Sequence, residues 1–385
     1  MQNQVRLFTP GPLCLSPFVK EGMLFDIGSR DAAFKRITQE IRDQILTIAQ
    51  AHGSHTVIPI QGSGTFAVEA ALTTFIGRGD KALVCINGQY GERILTMLRR
   101  NGLAFETLVT PVTEVPDVAL VADRLATDPE ITHLCFVHCE TTTGILNPFS
   151  ALINVARANG VVTIVDSMSA FGGIAVNAQT DRFDVLISSG NKCLEAPPGL
   201  AFAIVANTLL NRKSTHATTY SLDLYDQWLS FERSGEWRTT PPTHIAQALH
   251  RALSEHSMEG TEARWARYDR VRERLTKGLR PFGITPILRQ ELQSPICLAL
   301  QAKHWISDQE SFEYFYNFLA ADQIYIYAKL HAPSQTFRIG CIGQIQDDWP
   351  DRLIDRVERF APTVARRDLS RKFACSSLSR EQINA

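Results

Sequence analysis

The chain has 385 residues, of which 44% are hydrophobic and 21% charged, a composition typical of globular proteins. Its formal net charge is -1, so it generates no strong field to attract nucleic acid or an anionic membrane. No stretch approaches the roughly 20 apolar residues of a membrane span, and the first residues have no signal-peptide core. We therefore expect a cytoplasmic protein that has neither nucleic acid nor membrane as a partner.

The first two thirds of the chain alternate short apolar runs with stretches of helical spacing. The runs predict strands at residues 57–60, 81–86, 133–137, 161–165, 185–188 and 200–206. Helices are predicted between them, at residues 66–75, 92–101 and 150–158. This rhythm favours an α/β fold whose parallel sheet is covered by helices on both faces.

After about residue 245 the pattern changes. Residues 246–279 predict one long helix, and the rest predicts a smaller α+β unit. Its strands are expected at 294–300, 324–327 and 335–339, and its helices at 312–321 and 351–360. The end of the chain is polar and rich in Ser and Arg, as in a frayed terminus. The eight cysteines form no C-x-x-C pair, so we expect free thiols and no metal site.

Two residues carry the chemistry that the sequence suggests. Asp166 follows the apolar run 161–165, so it is expected at the carboxyl end of a strand, where open α/β sheets bind ligands. Lys192 follows 26 residues later among small residues that leave room for a planar ligand. Alone, the acid could cap a turn and the lysine could lie on the surface. Together they form the pair that pyridoxal phosphate (PLP) requires.

PLP chemistry gives each of the two residues a role. An amine such as that of Lys192 forms a Schiff base with the cofactor and, once released, moves a proton as a general acid and base. A carboxylate such as that of Asp166 faces the pyridine nitrogen and favours its protonated form. We therefore predict that both residues are catalytic.

A glycine-rich turn at residues 61–69 follows a predicted strand and opens a helix. Its backbone N–H groups and helix dipole could receive a phosphate, although such a turn alone is more often structural. It is not a Walker loop, because no Gly-Lys-Ser/Thr follows.

Further candidates lie at other predicted strand ends. Tyr90 could stack on a flat cofactor or pack in its turn. The hydroxyls of residues 141–143 could bind cofactor or substrate. Arg338 could clamp a carboxylate, because its apolar neighbours Phe337 and Ile339 are expected on the opposite face.

The pattern resembles the class V aminotransferases, most closely the branch that transfers the amino group of 2-aminoethylphosphonate to pyruvate. The resemblance covers residues 7 to 361. It rests on residues 7–13, 23–26, 61–69, 87–91, 138–148, 165–173, 188–199, 220–228, 237–244 and 336–343. It implies the PLP-dependent transferase fold of type I, with a large domain built on a mainly parallel seven-stranded sheet and a smaller C-terminal α+β domain. The implied domains are an arm (1–20) that joins the small domain, a large domain (21–255), a small domain (256–365) and a tail (366–385).

The resemblance also implies roles for particular residues. Cofactor binding falls to Ser63, Gly64, Thr65, Tyr90, Thr141, Thr143, Asp166, Ser189, Lys192 and Thr240. Thr240 would act from the partner subunit of a homodimer. Arg338 would bind the carboxylate of pyruvate and L-alanine or the phosphonate of the donor, and Gly11 and Arg30 are further substrate-binding candidates. The implied reaction is ping-pong and yields phosphonoacetaldehyde and L-alanine.

Several positions depart from the pattern of this branch. Gly190 precedes Asn191, and Ala196, Pro197, Ala328 and Cys341 replace the residues expected there. These changes leave open an alanine–glyoxylate or serine–pyruvate type of class V aminotransferase. A cysteine desulfurase is disfavoured, because Asn191 stands where that group resembles a His. A non-catalytic sensing module lacks an accompanying DNA-binding segment, and a dinucleotide-dependent oxidoreductase lacks its glycine fingerprint.

Overall fold

The computed structural model describes residues 5–212, 215–302, 304–331 and 335–360. In these ranges the strands, in chain order, are β1 (Arg6–Phe8), β2 (His55–Gly62), β3 (Lys81–Ile86), β4 (Ala104–Val109), β5 (Ile131–Val137), β6 (Cys139–Glu140), β7 (Ile145–Leu146), β8 (Val162–Asp166), β9 (Val185–Ser189), β10 (Gly199–Ala206), β11 (Thr285–Pro286), β12 (Cys297–Gln301), β13 (Ile324–Ile326) and β14 (Phe337–Gly340).

The α-helices of the same ranges are α1 (Pro17–Glu21), α2 (Ala32–Ile48), α3 (Gly64–Phe75), α4 (Gln89–Arg100), α5 (Val118–Thr127), α6 (Phe149–Ala158), α7 (Ala178–Asp181), α8 (Asn207–Leu210), α9 (Leu224–Ser234), α10 (Thr243–Glu259), α11 (Thr261–Leu279) and α12 (Gln309–Ala320). Residues 349–360 are also helical. None of the helices in the described ranges has the length and apolar composition that a membrane crossing requires.

A seven-stranded sheet is the centre of the fold. Its strand order is β2-β10-β9-β8-β5-β3-β4, and every pairing is parallel except those of β10 with β2 and β9. All residues of β8 and β9 are buried, because helices cover both faces of the sheet. Two hydrophobic clusters result, one on each side of the strands. The predicted α/β fold with a mainly parallel sheet is confirmed.

The remaining strands form a smaller unit. In the sheet β11-β12-β14 both pairings are antiparallel, and a third cluster packs beside it. The N-terminal strand β1 pairs in parallel with β13, so the start of the described chain lies on this unit. A fourth cluster, which includes Leu13, Cys193 and Cys297, joins it to the large sheet. The domain boundaries stay predictions, and residues 361–385 lie outside the described ranges.

One prediction of secondary structure was wrong. The expected helix at 246–279 is two helices, α10 and α11, separated by Gly260. Gly260 has φ +78°, a conformation that an α-helix cannot contain and that glycine tolerates. The helical spacing continues across this position in the sequence, because both helices bury residues that recur every three or four positions. The break lets α11 run from the large sheet to the smaller unit.

Candidate active site

Asp166 is the last residue of β8, at the carboxyl edge of the sheet. Its side chain is buried, and burial raises the pKa of the carboxyl to about 6. Oδ1 accepts a hydrogen bond from the N–H of Met168 at 3.0 Å. No donor in the described ranges reaches Oδ2, which leaves this oxygen available to a ligand.

Lys192 lies in the loop that follows the neighbouring strand β9. Its Nζ donates to the carbonyl oxygen of Pro10. Burial lowers the pKa of the amine, and the charge of Arg338 acts in the same direction, while the charge of Asp166 raises it. A lowered pKa increases the fraction of neutral amine, which is the nucleophilic form.

The glycine-rich turn ends at the N-terminus of α3. Ser63 is the N-cap residue, but its side chain makes no capping hydrogen bond. A Cβ on Gly64 would lie 2.3 Å from Sδ of Met168, so a larger residue there would require the Met168 side chain to move. The first N–H groups of a twelve-residue helix therefore stand beside an unused hydroxyl, an arrangement that suits a phosphate.

Tyr90 lies in the first turn of α4 with Arg93 next to it. The Arg93 guanidinium carbon is 4.6 Å from the centre of the Tyr90 ring, and Nη1 donates to Oγ1 of Thr65 at 3.0 Å. Burial raises the pKa of Tyr90, whereas the charges of Arg93 and Arg338 lower it. Arg93 thus connects the ring to the first turn of α3. Arg93 was not predicted from the sequence, although its position one helical turn after Tyr90 could have suggested it.

Glu140 was also missed, although an acid in a buried strand end requires partners. Its Oε2 accepts from the N–H of Tyr90 at 3.0 Å, and its carboxylate also accepts from Gly91. Its Oε1 accepts from the N–H of Thr142 at 3.1 Å. Burial raises the pKa of Glu140, and these hydrogen bonds lower it. The carboxylate therefore caps the start of α4 and fixes where Tyr90 stands.

Arg338 lies on β14 with only 6% of its surface exposed. Its guanidinium carbon is 3.8 Å from the centre of the Tyr327 ring, and Nη1 donates to the carbonyl of Thr141 at 3.4 Å. Its Nε is buried and has no hydrogen-bond partner among the residues that the structure describes. A buried guanidinium N–H without an acceptor is costly, so the site is suited to receive an anion here.

Three further candidates belong to the walls of this site. Oγ1 of Thr141 and Oγ of Ser169 are 2.5 Å apart, which connects the turn between β6 and β7 to the turn after β8. Thr143 is occupied in its own turn, where Oγ1 accepts from the N–H of Ile145 at 3.4 Å. Ser189 donates to Oδ1 of Asn191 at 2.9 Å.

The three remaining candidates, Gly11, Thr240 and Arg30, differ in how close they lie to Lys192. A Cβ on Gly11 would lie 3.2 Å from Nζ of Lys192, so Gly11 is beside the amine. Thr240 is exposed, and its neighbour Thr239 accepts a hydrogen bond from Gln61 at 3.1 Å. Arg30 is 81% exposed and lies 3.9 Å from Glu236. Within one subunit, the contact of Arg30 with Glu236 therefore does not place it beside Lys192.

Gly190 and Cys341 are two of the positions that depart from the pattern of this branch, and both are closely packed. A Cβ on Gly190 would lie 3.1 Å from both Ala196 Cβ and Leu249 Cδ1, so alanine would be tight there. Cys341 is buried in the cluster of the smaller unit. All seven cysteines in the described ranges are free thiols, and Cys375 lies outside those ranges.

The residues that meet at this edge fit PLP. The free Oδ2 of Asp166 suits a protonated ring nitrogen, the amine of Lys192 suits an aldehyde, and the start of α3 suits a phosphate.

Comparison with known proteins agrees with this geometry. The family profile described as "Aminotransferase class-V" matches residues 26–328. The 2-aminoethylphosphonate–pyruvate transaminase of Pseudomonas putida (strain GB-1) is 38% identical over 359 residues, which are 93% of this chain and 97% of that protein. The enzyme of the same name from Vibrio vulnificus (strain YJ016) is 40% identical over 362 residues, 93% of this chain and 98% of that protein.

Solved structures share the fold. The alanine–glyoxylate aminotransferase of Nostoc sp. superposes with a TM-score of 0.85 at 24% identity, covering 93% of this chain and 96% of that one. The ureidoglycine–glyoxylate aminotransferase of Bacillus subtilis superposes with a TM-score of 0.82 at 23% identity, covering 94% and 93%. From the family match and the extent of identity, the chain belongs to the class V aminotransferases, which are PLP-dependent enzymes of fold type I.

Proposed function

We propose that this aminotransferase moves the amino group of 2-aminoethylphosphonate to pyruvate, yielding phosphonoacetaldehyde and L-alanine. The donor is suggested by relatives that carry this activity in their name and match 93% of the chain at 38–40% identity. The observation that carries the proposal is the buried Arg338, whose Nε lacks an acceptor and whose charge acts on Lys192. An anionic group on the substrate would satisfy that N–H.

Each residue at this edge of the sheet has its own role in the proposed reaction. Bound PLP supplies an electron sink for the negative charge that develops at the reacting carbon. Asp166 keeps the positive charge on the ring nitrogen, and the amine of Lys192 holds the cofactor and moves the proton at the reacting carbon. The start of α3 would hold the phosphate with Ser63, Gly64 and Thr65. Tyr90, fixed by Glu140, would cover one face of the ring.

Arg338 would serve both substrates in turn. A carboxylate and a phosphonate both accept the paired N–H groups of a guanidinium. One site can bind both anions, because a ping-pong reaction releases the first product before the second substrate enters. The position of Tyr327 over the guanidinium limits how far Arg338 can turn. The geometry therefore favours an anionic group at a fixed distance from Lys192.

A donor screen tests the proposal. The PLP form of the enzyme is mixed with 2-aminoethylphosphonate, L-alanine or L-serine in the absence of pyruvate, and its conversion to the amine form is followed by absorbance. We expect this conversion to be fastest with the phosphonate. Conversion of only the amino acids would favour the alanine–glyoxylate or serine–pyruvate alternative instead.

Variants of Arg338 give a second test, in which KM is measured for 2-aminoethylphosphonate and for pyruvate. We expect Arg338→Gln to raise KM for both anionic substrates roughly 10- to 150-fold, because a hydrogen bond to a charged group contributes about 1.5–3 kcal/mol. Arg338→Lys should recover only part, since it keeps the charge and loses the paired geometry. Arg289→Gln, which breaks an exposed pair with Glu291, is the control. Unchanged KM values in Arg338→Gln would remove the anion-binding role.

The active enzyme is further proposed to be a cytoplasmic homodimer. Support comes from the exposed apolar residues Leu24, Phe25 and Phe66, and from the exposure of Thr240 near the turn before α3. In a dimer, Thr240 of one subunit would approach the phosphate position of the other. Light scattering should give twice the chain mass of 42.9 kDa. A monomer with full activity would contradict this.

A further inference from the structure

The loop that carries Lys192 contains a buried residue in an unusual conformation. Glu195 has φ +58°, in the left-handed region that residues with a side chain rarely adopt. Only 1% of its surface is exposed. Its N–H donates to the carbonyl of Lys192 at 2.9 Å, so the turn closes directly on the lysine. Such a conformation persists only where neighbouring contacts hold it.

Those contacts come from helix α11 and from the smaller unit. The Glu195 carboxylate accepts from the hydroxyl of Tyr268 at 2.6 Å and from Nη2 of Arg267 at 2.9 Å. It also accepts from Nε2 of Gln344 at 2.7 Å. The three donors belong to α11 and to the segment that follows β14. The carboxylate therefore joins the lysine loop to the part of the chain that carries Arg338.

A second set of bonds strengthens the same junction. Arg264, which is 1% exposed, donates from Nη1 to the carbonyl of Cys193 at 2.7 Å. Arg267 donates from Nη1 to the carbonyl of Gly343 at 2.8 Å. Both arginines also bind the carboxylate of Glu259 at 2.6 Å through Nε. Two acids and two arginines thus balance in charge.

We propose that Glu195, held by Arg267 and Tyr268, is a positioning residue that sets where the Lys192 amine stands relative to Arg338. The junction touches the lysine loop at Cys193 and Glu195 and the small unit at Gly343 and Gln344. Arg338 lies on the strand just before those last two residues. The distance between the amine and the anion-binding guanidinium therefore depends on this junction. The inference rests on the proposed role of Lys192.

The test uses the full chain and two variants of different severity. Glu195→Gln keeps the shape but removes the charge that Arg267 binds, and Tyr268→Phe removes a single hydroxyl. Two readouts are compared with wild type. One is the pH dependence of the rate at which apoenzyme captures PLP covalently. The other is kcat and KM for the amino donor.

We expect both variants to move the midpoint of covalent capture to higher pH. A looser loop exposes the amine to water, and this removes part of the burial that lowers its pKa. We also expect kcat to fall roughly 10- to 100-fold in Glu195→Gln with a smaller change in KM, because misplacement of a reacting group costs rate. Tyr268→Phe should show the same changes at smaller size.

Two controls separate positioning from loss of stability. Both controls change residues of α11. Arg274→Gln breaks an exposed ion pair with Asp351, and Leu275→Ala removes buried apolar atoms. Neither should move the capture midpoint, even if Leu275→Ala lowers Tm as much as Glu195→Gln does. Wild-type midpoints and kcat in both Glu195→Gln and Tyr268→Phe would overturn the inference. Absence of covalent capture by the wild-type apoenzyme would instead remove the proposed role of Lys192.

Discussion

Replacing Lys192 with alanine is expected to lower the transamination rate by about 10⁴-fold or more, near the upper end of what a positioned acid–base group contributes. The amine is buried, and the charges of both Asp166 and Arg338 act on it. Burial lowers its pKa and so increases the neutral fraction, which is the form that reacts with an aldehyde.

The measurement combines spectroscopy with peptide mapping. Wild-type enzyme should show a visible absorption band, and borohydride should fix the cofactor on the peptide that contains residue 192. Lys192→Ala should lose both signals. Lys277→Ala, at a position 77% exposed on α11, is a lysine control that should keep both. Cofactor fixed on another lysine would refute the assignment.

Changing Asp166 to asparagine is expected to lower kcat roughly 10²- to 10³-fold, the cost typical of removing one preorganised electrostatic partner. An amide cannot balance a positive ring nitrogen. Because burial raises the pKa of Asp166 to about 6, the affinity of the apoenzyme for PLP should fall as the pH decreases through 6. In Asp166→Asn this part of the pH dependence should disappear.

The same substitution, which is expected to lower kcat, should make the apoenzyme more stable at alkaline pH. The pKa of Asp166 in the folded protein lies above its unfolded value of about 3.9. The contribution of Asp166 to the free energy of unfolding is therefore fully present below about pH 3.9, and it is lost as the pH rises through about 6. Apo Asp166→Asn should therefore be more stable than apo wild type at pH 8, by roughly 2–3 kcal/mol, and this gain should shrink below pH 4. Urea denaturation measures the difference.

The control for this prediction is Asp184→Asn. Asp184 is another carboxyl whose pKa is raised by burial, but it precedes β9 at the far end of the strand from Ser189 and binds Thr163 at 2.8 Å. Its replacement should leave the pH dependence of PLP binding unchanged. If apo Asp166→Asn were less stable than wild type at pH 8, the carboxylate would already have a partner in the empty site.

The elements of the central sheet could be predicted because their signals are local. The strand at Lys81–Ile86 was predicted at both ends, since its last five residues are buried and form a continuous apolar run. The edge strand β4 was missed, because none of its residues is fully buried: the two end residues are exposed and the four between them are partly exposed. The break at Gly260 was missed as well, since the helical spacing of the buried positions continues across it.

By itself the sequence determined six strands of the central sheet, the expected pairing of Asp166 with Lys192 and the family. Each of these depends on apolar runs and on the residues that directly follow them in the chain. Only the tertiary structure decided which other groups stand around them. Arg93, Glu140 and Glu195 were not distinguished by the sequence, since their partners Thr65, Tyr90 and Arg267 lie 28 to 72 residues away. A charged residue acquires its role from the groups that surround it when it is buried, and those groups are brought together by the packing of distant segments.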